Sequence, residues 1–386
     1  MTGYKFLLQK RLLHNKLNII LLSLLFIITF GSLWMNHRTT TTNSQISLIN
    51  NDIETNIQYL KKQQTEVTHL SGKRKQDLEK VISELKKDTE IKKNIVSALE
   101  SKQWSTAYNL LAEENLKILE YEKKGQTANS SEEFIDAIKR ELLIFRYLSS
   151  HNMQYEPTDF STKGVNFFAW VSNNIIPYFF VLVSAFILTN FYLISYRSNG
   201  IIDTDSLIPG KNITKQFVKI SVGIIFSLIS VLCLFLVSFI SATFLFGSGN
   251  LDYPYIVYTS KYNMHVEPLE NLLLKSLPLQ LLSLISTCLL FYIIAILVKN
   301  KLGALFVSLL LSTGVLFGIS TLDPIQKISS FIPITYINSF SIVTGTLARQ
   351  IENFQLSLTT GYLVVTSSIV LLSIAVIILN RFRGDR

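Results

Sequence analysis

Gly210-Lys211 is where this chain comes nearest to a phosphate-binding loop. Such a loop needs Gly, four residues, then Gly-Lys-Ser/Thr, so that backbone N–H groups cradle phosphates and a hydroxyl reaches the metal. Here Asp205 and Asn212 stand where Gly and Ser/Thr are required. Leu70-Ser71-Gly72 imitates the start of an ATPase signature but runs on into Lys73-Arg74. The expectation is a protein that binds no nucleotide or cofactor by itself. His14, His37, His69, His151 and His265 are scattered singly, with no His-Glu-x-x-His or Cys-x-x-Cys pairing, which argues against a metal centre. No Gly-x-Ser-x-Gly nucleophile turn occurs. Cys233 and Cys288 sit inside apolar stretches and read as packing residues. Asn190 and Gln280 lie deep in apolar stretches, and Asn18, Asn173 and Asn174 lie near their ends. Interhelical hydrogen bonding is the simpler role for these amides, with a substrate site as the alternative.

These groups must be positioned by helices in a bilayer. Residues 17–35, 166–196, 220–251, 276–298, 302–322 and 353–380 carry no charge or contain a long uncharged run. A spanning helix needs about 20 mostly apolar residues. Lipid offers no partner to backbone N–H and C=O groups, so each run closes its own hydrogen bonds as a helix. The chain is 16% charged, against roughly 25% for a soluble domain. The fold class expected is an all-α membrane protein with six transmembrane helices: 17–35, 171–196, 220–247, 276–298, 302–320 and 357–380. The first run is too long for a signal-peptide core, and Trp34-Met35-Asn36-His37 offers no small-residue cleavage site, so it reads as a retained span.

The net charge of +9 is not a nucleic-acid signal, because residues 36–170 hold 19 Lys/Arg and 19 Asp/Glu and are neutral. The excess clusters beside the spans: Lys5, Lys10, Arg11 and Lys16; Lys211, Lys215 and Lys219; Lys299 and Lys301; Arg381, Arg383 and Arg386. By the positive-inside rule both termini face the cytoplasm. No basic and aromatic platform for nucleic acid accompanies them. Uncharged spans also disfavour an ion-coupled carrier, which keeps ionisable groups inside its bundle.

Between the first two spans, residues 36–170 form a helical extracytoplasmic domain. Ile46, Ile49, Ile53, Ile57 and Leu60 recur at helical steps, as do Leu78, Val81, Ile82 and Leu85, with Gly72 as the break between them. One further helix covers 91–122. Ser130 and Glu133 have capping-box spacing for the last helix, which Tyr155-Glu156-Pro157 ends. The domain is either a cargo-binding element or a spacer. Residues 1–16 form a juxtamembrane segment whose Tyr4, Leu7, Leu8 and Leu12 share an arc, so it is either an interfacial helix or a basic tail.

Two loops stand out. Residues 197–219 are too short for a catalytic domain, which needs at least about 50 residues. Asn212 is placed to cap the helix that follows. In 321–352, Phe331-Ile332-Pro333-Ile334-Thr335-Tyr336-Ile337 is apolar but too short to cross, which suits a re-entrant or interfacial element.

This layout resembles the ABC-2 type permeases, the membrane subunits of bacterial ATP-driven exporters, in a Gram-positive-like subgroup with a large outer domain after the first span. Leu207-Ile208-Pro209-Gly210-Lys211 is similar to that family's leucine-x-proline, polar, lysine pattern, and Pro333-x-x-Tyr336 with Gly345 to its proline-x-x-tyrosine element. Asn199-Gly200 stands where family members often carry glutamate and glycine. The resemblance implies that this chain is not an enzyme. It also implies a cytoplasmic ABC ATPase subunit as partner, binding the ATP and Mg, and a second permease copy or a related permease in the bacterial cell membrane. The ATPase-coupling loop would comprise Asp203, Asp205, Leu207, Ile208 and Pro209, in a short helix near 203–208 with Leu207 and Ile208 as anchors. The re-entrant element would comprise Pro333, Tyr336 and Gly345. The cargo class would be a peptide, antibiotic or lipid. The competing reading is a membrane-anchored sensor or assembly factor whose outer domain binds a ligand. A mechanotransmission permease would have fewer spans, and an intramembrane enzyme would need catalytic groups the spans lack.

Overall fold

The computed structural model describes residues 2–39, 42–125, 131–197, 202–203 and 208–384, without the side chains of 197, 202, 203 and 381–384. About 81% of the chain is helical, and sheet among the described residues is confined to two short hairpins. The helices long and apolar enough to cross a membrane include α2 (Lys16–Thr39), α9 (Asn212–Phe246), α10 (Leu269–Val298) and α16 (Leu358–Gly384). The stretch Lys301–Gly318 is a fifth, made of α11 (Lys301–Leu309), a π-helical turn Leu310–Gly314 and α12 (Val315–Gly318). A sixth is bent: α7 (Gly164–Asn174) meets Ile176–Tyr192 at 44°. That second half is a π turn, Ile176–Phe180, followed by α8 (Val181–Tyr192). Apolar side chains such as Ile27, Phe244 and Leu371 lie bare on the outside of the bundle, as expected where the solvent is hydrocarbon. Helix α10 is the central one: 67% of its apolar window is buried, against 17% for α16.

The amino-terminal segment is a helix, α1 (Thr2–Leu13), whose buried Tyr4, Leu8 and Leu12 belong to the main core with α9. Four helices lie between the first and second apolar segments: α3 (Thr42–Val67), α4 (Lys73–Glu100), α5 (Trp104–Lys123) and α6 (Glu132–His151). Asn56 bonds Asp88 at 2.9 Å while Lys92 reaches Asp52 at 3.4 Å, so α3 and α4 run antiparallel. Asn115 to Glu141 and Ser149 to Ser105 set the same antiparallel register for α5 and α6.

Three details depart from the sequence reading. The helix expected over 91–122 is broken at Ser101–Gln103, where Lys102 takes a left-handed φ of 55°. The last cap is Ser131, whose Oγ accepts from the Phe134 N–H at 3.2 Å; Ser130 lies outside the described residues. Helix α6 ends at Asn152, in the left-handed region at φ 49°, ψ 47°, five residues before Pro157. Asparagine tolerates that conformation and stops a helix as glycine would.

Beyond α9, β3 (Pro254–Tyr258) and β4 (Met264–Pro268) form an antiparallel hairpin leading into α10. An apolar cluster runs from Tyr108 of α5 and Phe145 of α6 through Tyr253 and Tyr255 to Phe340. Phe340 lies in α14 (Ser339–Val343), within a run of short turns that also holds α13 (Asp323–Ile328), a 3-10 turn Pro333–Asn338 and α15 (Thr346–Gln350). The outer helices are therefore packed onto the bundle through the hairpin and this run.

Candidate functional site

Pro177 breaks the second apolar segment. Its missing N–H removes the donor that would bond the Asn173 carbonyl, and its ring crowds the preceding turn. The chain answers with a π turn, and the N–H groups of Phe179 and Phe180 both reach the Ile175 carbonyl at 3.0 Å. Such turns are common at functional sites and leave carbonyls to be paired from elsewhere.

Gln280 of α10 is bonded beside this break. Its Nε2 donates to the Ser172 carbonyl at 2.8 Å and to the Ile337 carbonyl at 2.9 Å, and its Oε1 accepts from Ser172 Oγ at 2.8 Å. One buried amide thus ties the broken span, the central helix and the 3-10 turn together. Interhelical hydrogen bonding, expected for Gln280 from the sequence, is what it does here.

The 3-10 turn presses into the bundle. Pro333 opens it with a fixed φ. Tyr336 is fully buried and donates its hydroxyl to the Ser330 carbonyl at 2.7 Å. The ring lies on Gly361 of α16, where any Cβ would come within 2.6 Å of it. Gly345 follows with φ 69°, and a Cβ there would collide with the Tyr258 carbonyl of β3. Glycine is required twice over, for the left-handed backbone and for that close approach. It lets the Tyr258 N–H donate to the Thr344 carbonyl at 2.8 Å. Pro333, Tyr336 and Gly345 therefore stand in one packed element.

A polar cavity of about 200 Å³ opens at the break, lined by Asn173, Asn174, Tyr178, Asn338, Ser341 and Gln350 among others. Ser341 Oγ donates to Asn173 Oδ1 at 2.6 Å. Asn338 Oδ1 and the hydroxyls of Ser330, Thr335 and Ser339 are buried with no hydrogen-bond partner among the described residues. Among the described residues, no charged side chain lines this cavity. On the far side of α15 lies a larger cleft of about 890 Å³, with Glu132, Asp136, Arg140, Lys261 and Arg349 in its walls. Thr346 and Gln350 line both spaces, so α15 is the partition. Arg349 holds it to α6 through Asp136 at 2.7 Å and lies 4.3 Å over the Tyr258 ring.

The start of the broken span is pinned by Glu156. Its carboxylate accepts from the N–H groups of Thr162 and Lys163 and from Asn166 Nδ2, at the N-terminus of α7. A negative charge is favoured there by the helix dipole and the free N–H groups. Its own N–H donates to the Tyr253 hydroxyl at 2.8 Å. Nothing local in the sequence marks Glu156 for this role; its partners come from both the segment after it and β3's flank.

On the opposite end of the bundle, β1 (Tyr196–Arg197) pairs with β2 (Ile202–Asp203). Asp203 faces Tyr196 in that register. Asp205 and Leu207 lie outside the described residues. Ile208 is half-buried against the main core, Pro209 is exposed, and Ile208–Gly210 form a bend. Residues 202–203 are extended and 208–210 bent, and residues 204–207 of the short helix expected near 203–208 lie outside the described residues. Asn212 is the first residue of α9 and Lys211 occupies the cap position. Two lysines of α9 hold the loop's ends. Lys215 Nζ donates to the Ile208 carbonyl and Lys219 Nζ to Ser195 Oγ, both at 2.9 Å, and both side chains are buried. Sequence alone read Lys215 as a topology charge.

No protein-family model, curated protein or solved structure matches this chain.

Proposed function

We propose that this chain is the permease subunit of an ATP-driven exporter of the ABC-2 kind, moving a peptide, antibiotic or lipid-like cargo with energy from a separate cytoplasmic ATPase. In this reading it resides in a bacterial cell membrane with both termini in the cytoplasm and 36–170 outside, beside a second permease. The observation that carries it is the broken second span with an uncharged polar cavity at its break, partitioned by α15 from a charged outer cleft. Discontinuous helices are where membrane transporters gather their binding groups. The absence of charge in the cavity lining suits a cargo recognised by amides and hydroxyls.

The mechanical logic follows from the ties. Closure of an ATPase pair moves the loop at 197–219. Lys215 and Lys219 pass that movement to α9, and Ser195 passes it to the chain end of α8. Helix α8 swings on the π turn, and the bonds of Gln280 to Ser172 and Ile337 are the latch that yields.

Extraction of the tagged chain from its native membrane tests the reading. The expected result is a co-purifying ATPase subunit that is lost at least tenfold in Leu207→Glu, with the chain's own yield unchanged. Retention of that subunit by the variant contradicts the loop assignment. Absence of any ATPase from the wild-type complex contradicts the function.

A further inference from the structure

Helices α1, α2 and α9 enclose a groove of about 750 Å³ whose walls are almost entirely apolar. Leu22, Leu25 and Phe26 form one wall, and Ile225, Phe226 and Ile229 the other, down to Cys233. Ile225, Ile229 and Cys233 are exposed, so the groove is open sideways. Polar groups stand at its mouth, Gln9, Lys10 and His14 of the α1 end, and Ser230 lines its inner part near Cys233. From Val222 to Cys233 the groove follows α9 for roughly 16 Å at 1.5 Å per residue. One leaflet of the hydrocarbon core is about 15 Å deep, half of the usual 30 Å. The groove therefore has the depth of one leaflet, with its cationic end at headgroup level.

We propose that this groove is a binding site for an anionic phospholipid of the leaflet on the amino-terminal side, one acyl chain lying along α9 and the phosphate against Lys10 and His14. Charge selects the class. Lys5, Lys10, Arg11, His14 and Lys16 surround the mouth in sequence, and the first acidic residue of the chain is Asp52. Basic side chains beside a membrane surface attract anionic lipid headgroups. Helix α1 is fixed for the purpose: buried Tyr4, Leu8 and Leu12 seat it in the core, while Asn18 Nδ2 donates to the Leu12 carbonyl at 2.9 Å and locks its junction with α2. Its basic residues stay exposed on the other side.

The test uses the full chain in lipid nanodiscs carrying either phosphatidylglycerol or phosphatidylcholine with the same diazirine-bearing acyl chain. After photolysis, adducts are mapped by peptide mass spectrometry. The expected result is at least threefold more phosphatidylglycerol than phosphatidylcholine adduct on residues 222–233 and 22–26, with no such preference on the outward face of α16 around Leu363 and Leu371. Lys10→Gln with His14→Gln brings the ratio in the groove close to one. Cys233→Trp, which fills the inner end, lowers groove adducts while leaving those on α16 unchanged. Equal adducts from the two lipids, a preference that is the same on α16, or a ratio unmoved by the mouth variant would overturn the proposal. So would cross-linking of Cys233 to a second copy of the chain in place of lipid adducts.

Discussion

Gln280 and Gly345 show how single residues set the geometry of the seam. Replacing Gln280 by Leu leaves the Ser172 and Ile337 carbonyls without their amide donor. Measured hydrogen bonds between membrane helices are worth about 0.6 kcal/mol each, up to about 1.7. Ser172 Oγ loses its acceptor as well, so the three lost bonds should lower stability by about 2–5 kcal/mol, read as a lower apparent Tm in detergent. An unchanged Tm would mean that the amide is not a tie. Gly345→Ala is expected to cost more than an ordinary loop substitution, about 1–3 kcal/mol for the left-handed φ of 69° alone. The same substitution at Gly3, which has open space around it, serves as the control and should be neutral. The need for a polar tie at Gln280 was legible in the sequence, since an amide deep in an apolar helix must find partners. Its partners were not, because they lie 108 and 57 residues away. Gly345 could be picked out by eye, but the Tyr258 carbonyl that demands it belongs to a hairpin with no local signal pointing there.

At the scale of elements, periodicity was a good guide wherever one helix face is apolar and the other wet. It found α3 and α4 and their break at Gly72, where φ is 69°. It missed the break after Glu100, because Lys102 carries no turn signature. It also missed β3 and β4, five residues each, whose apolar Tyr255 and Val257 pack onto the outer helices and α14. Among these helices Glu114 gives a pH-dependent test. Burial, with further repulsion from Asp88, pushes its carboxyl from the ordinary 4.5 up to about 6. The folded state then holds the proton more tightly than the unfolded chain. That contribution is full below about pH 4.5 and is lost as pH rises through about 6. The outer helices should therefore resist denaturant better at pH 5 than at pH 7, and Glu114→Gln should shrink this difference while raising stability at pH 7. A difference of the same size in the variant would assign the effect to other groups.

Across the whole molecule, composition alone marked the chain as a membrane protein, and five to six helices are apolar enough to span. The connections between its two ends were not legible, since they are made by residues far apart in sequence. Arg349 joins the α15 partition to Asp136 in the outer helices, and Glu156 joins the start of the broken span to Tyr253. At the other end, Lys215 and Lys219 fasten the loop to α9. Such a chain can transmit movement but carries no phosphate loop in its sequence. The most direct measurement is ATP hydrolysis in proteoliposomes, comparing the purified chain alone, the ATPase subunit proposed to co-purify with it alone, and the two together. The account expects no hydrolysis from the chain, and a rate for the pair that differs severalfold from that of the ATPase alone. Hydrolysis by the chain itself, or an ATPase rate indifferent to its presence, would contradict it.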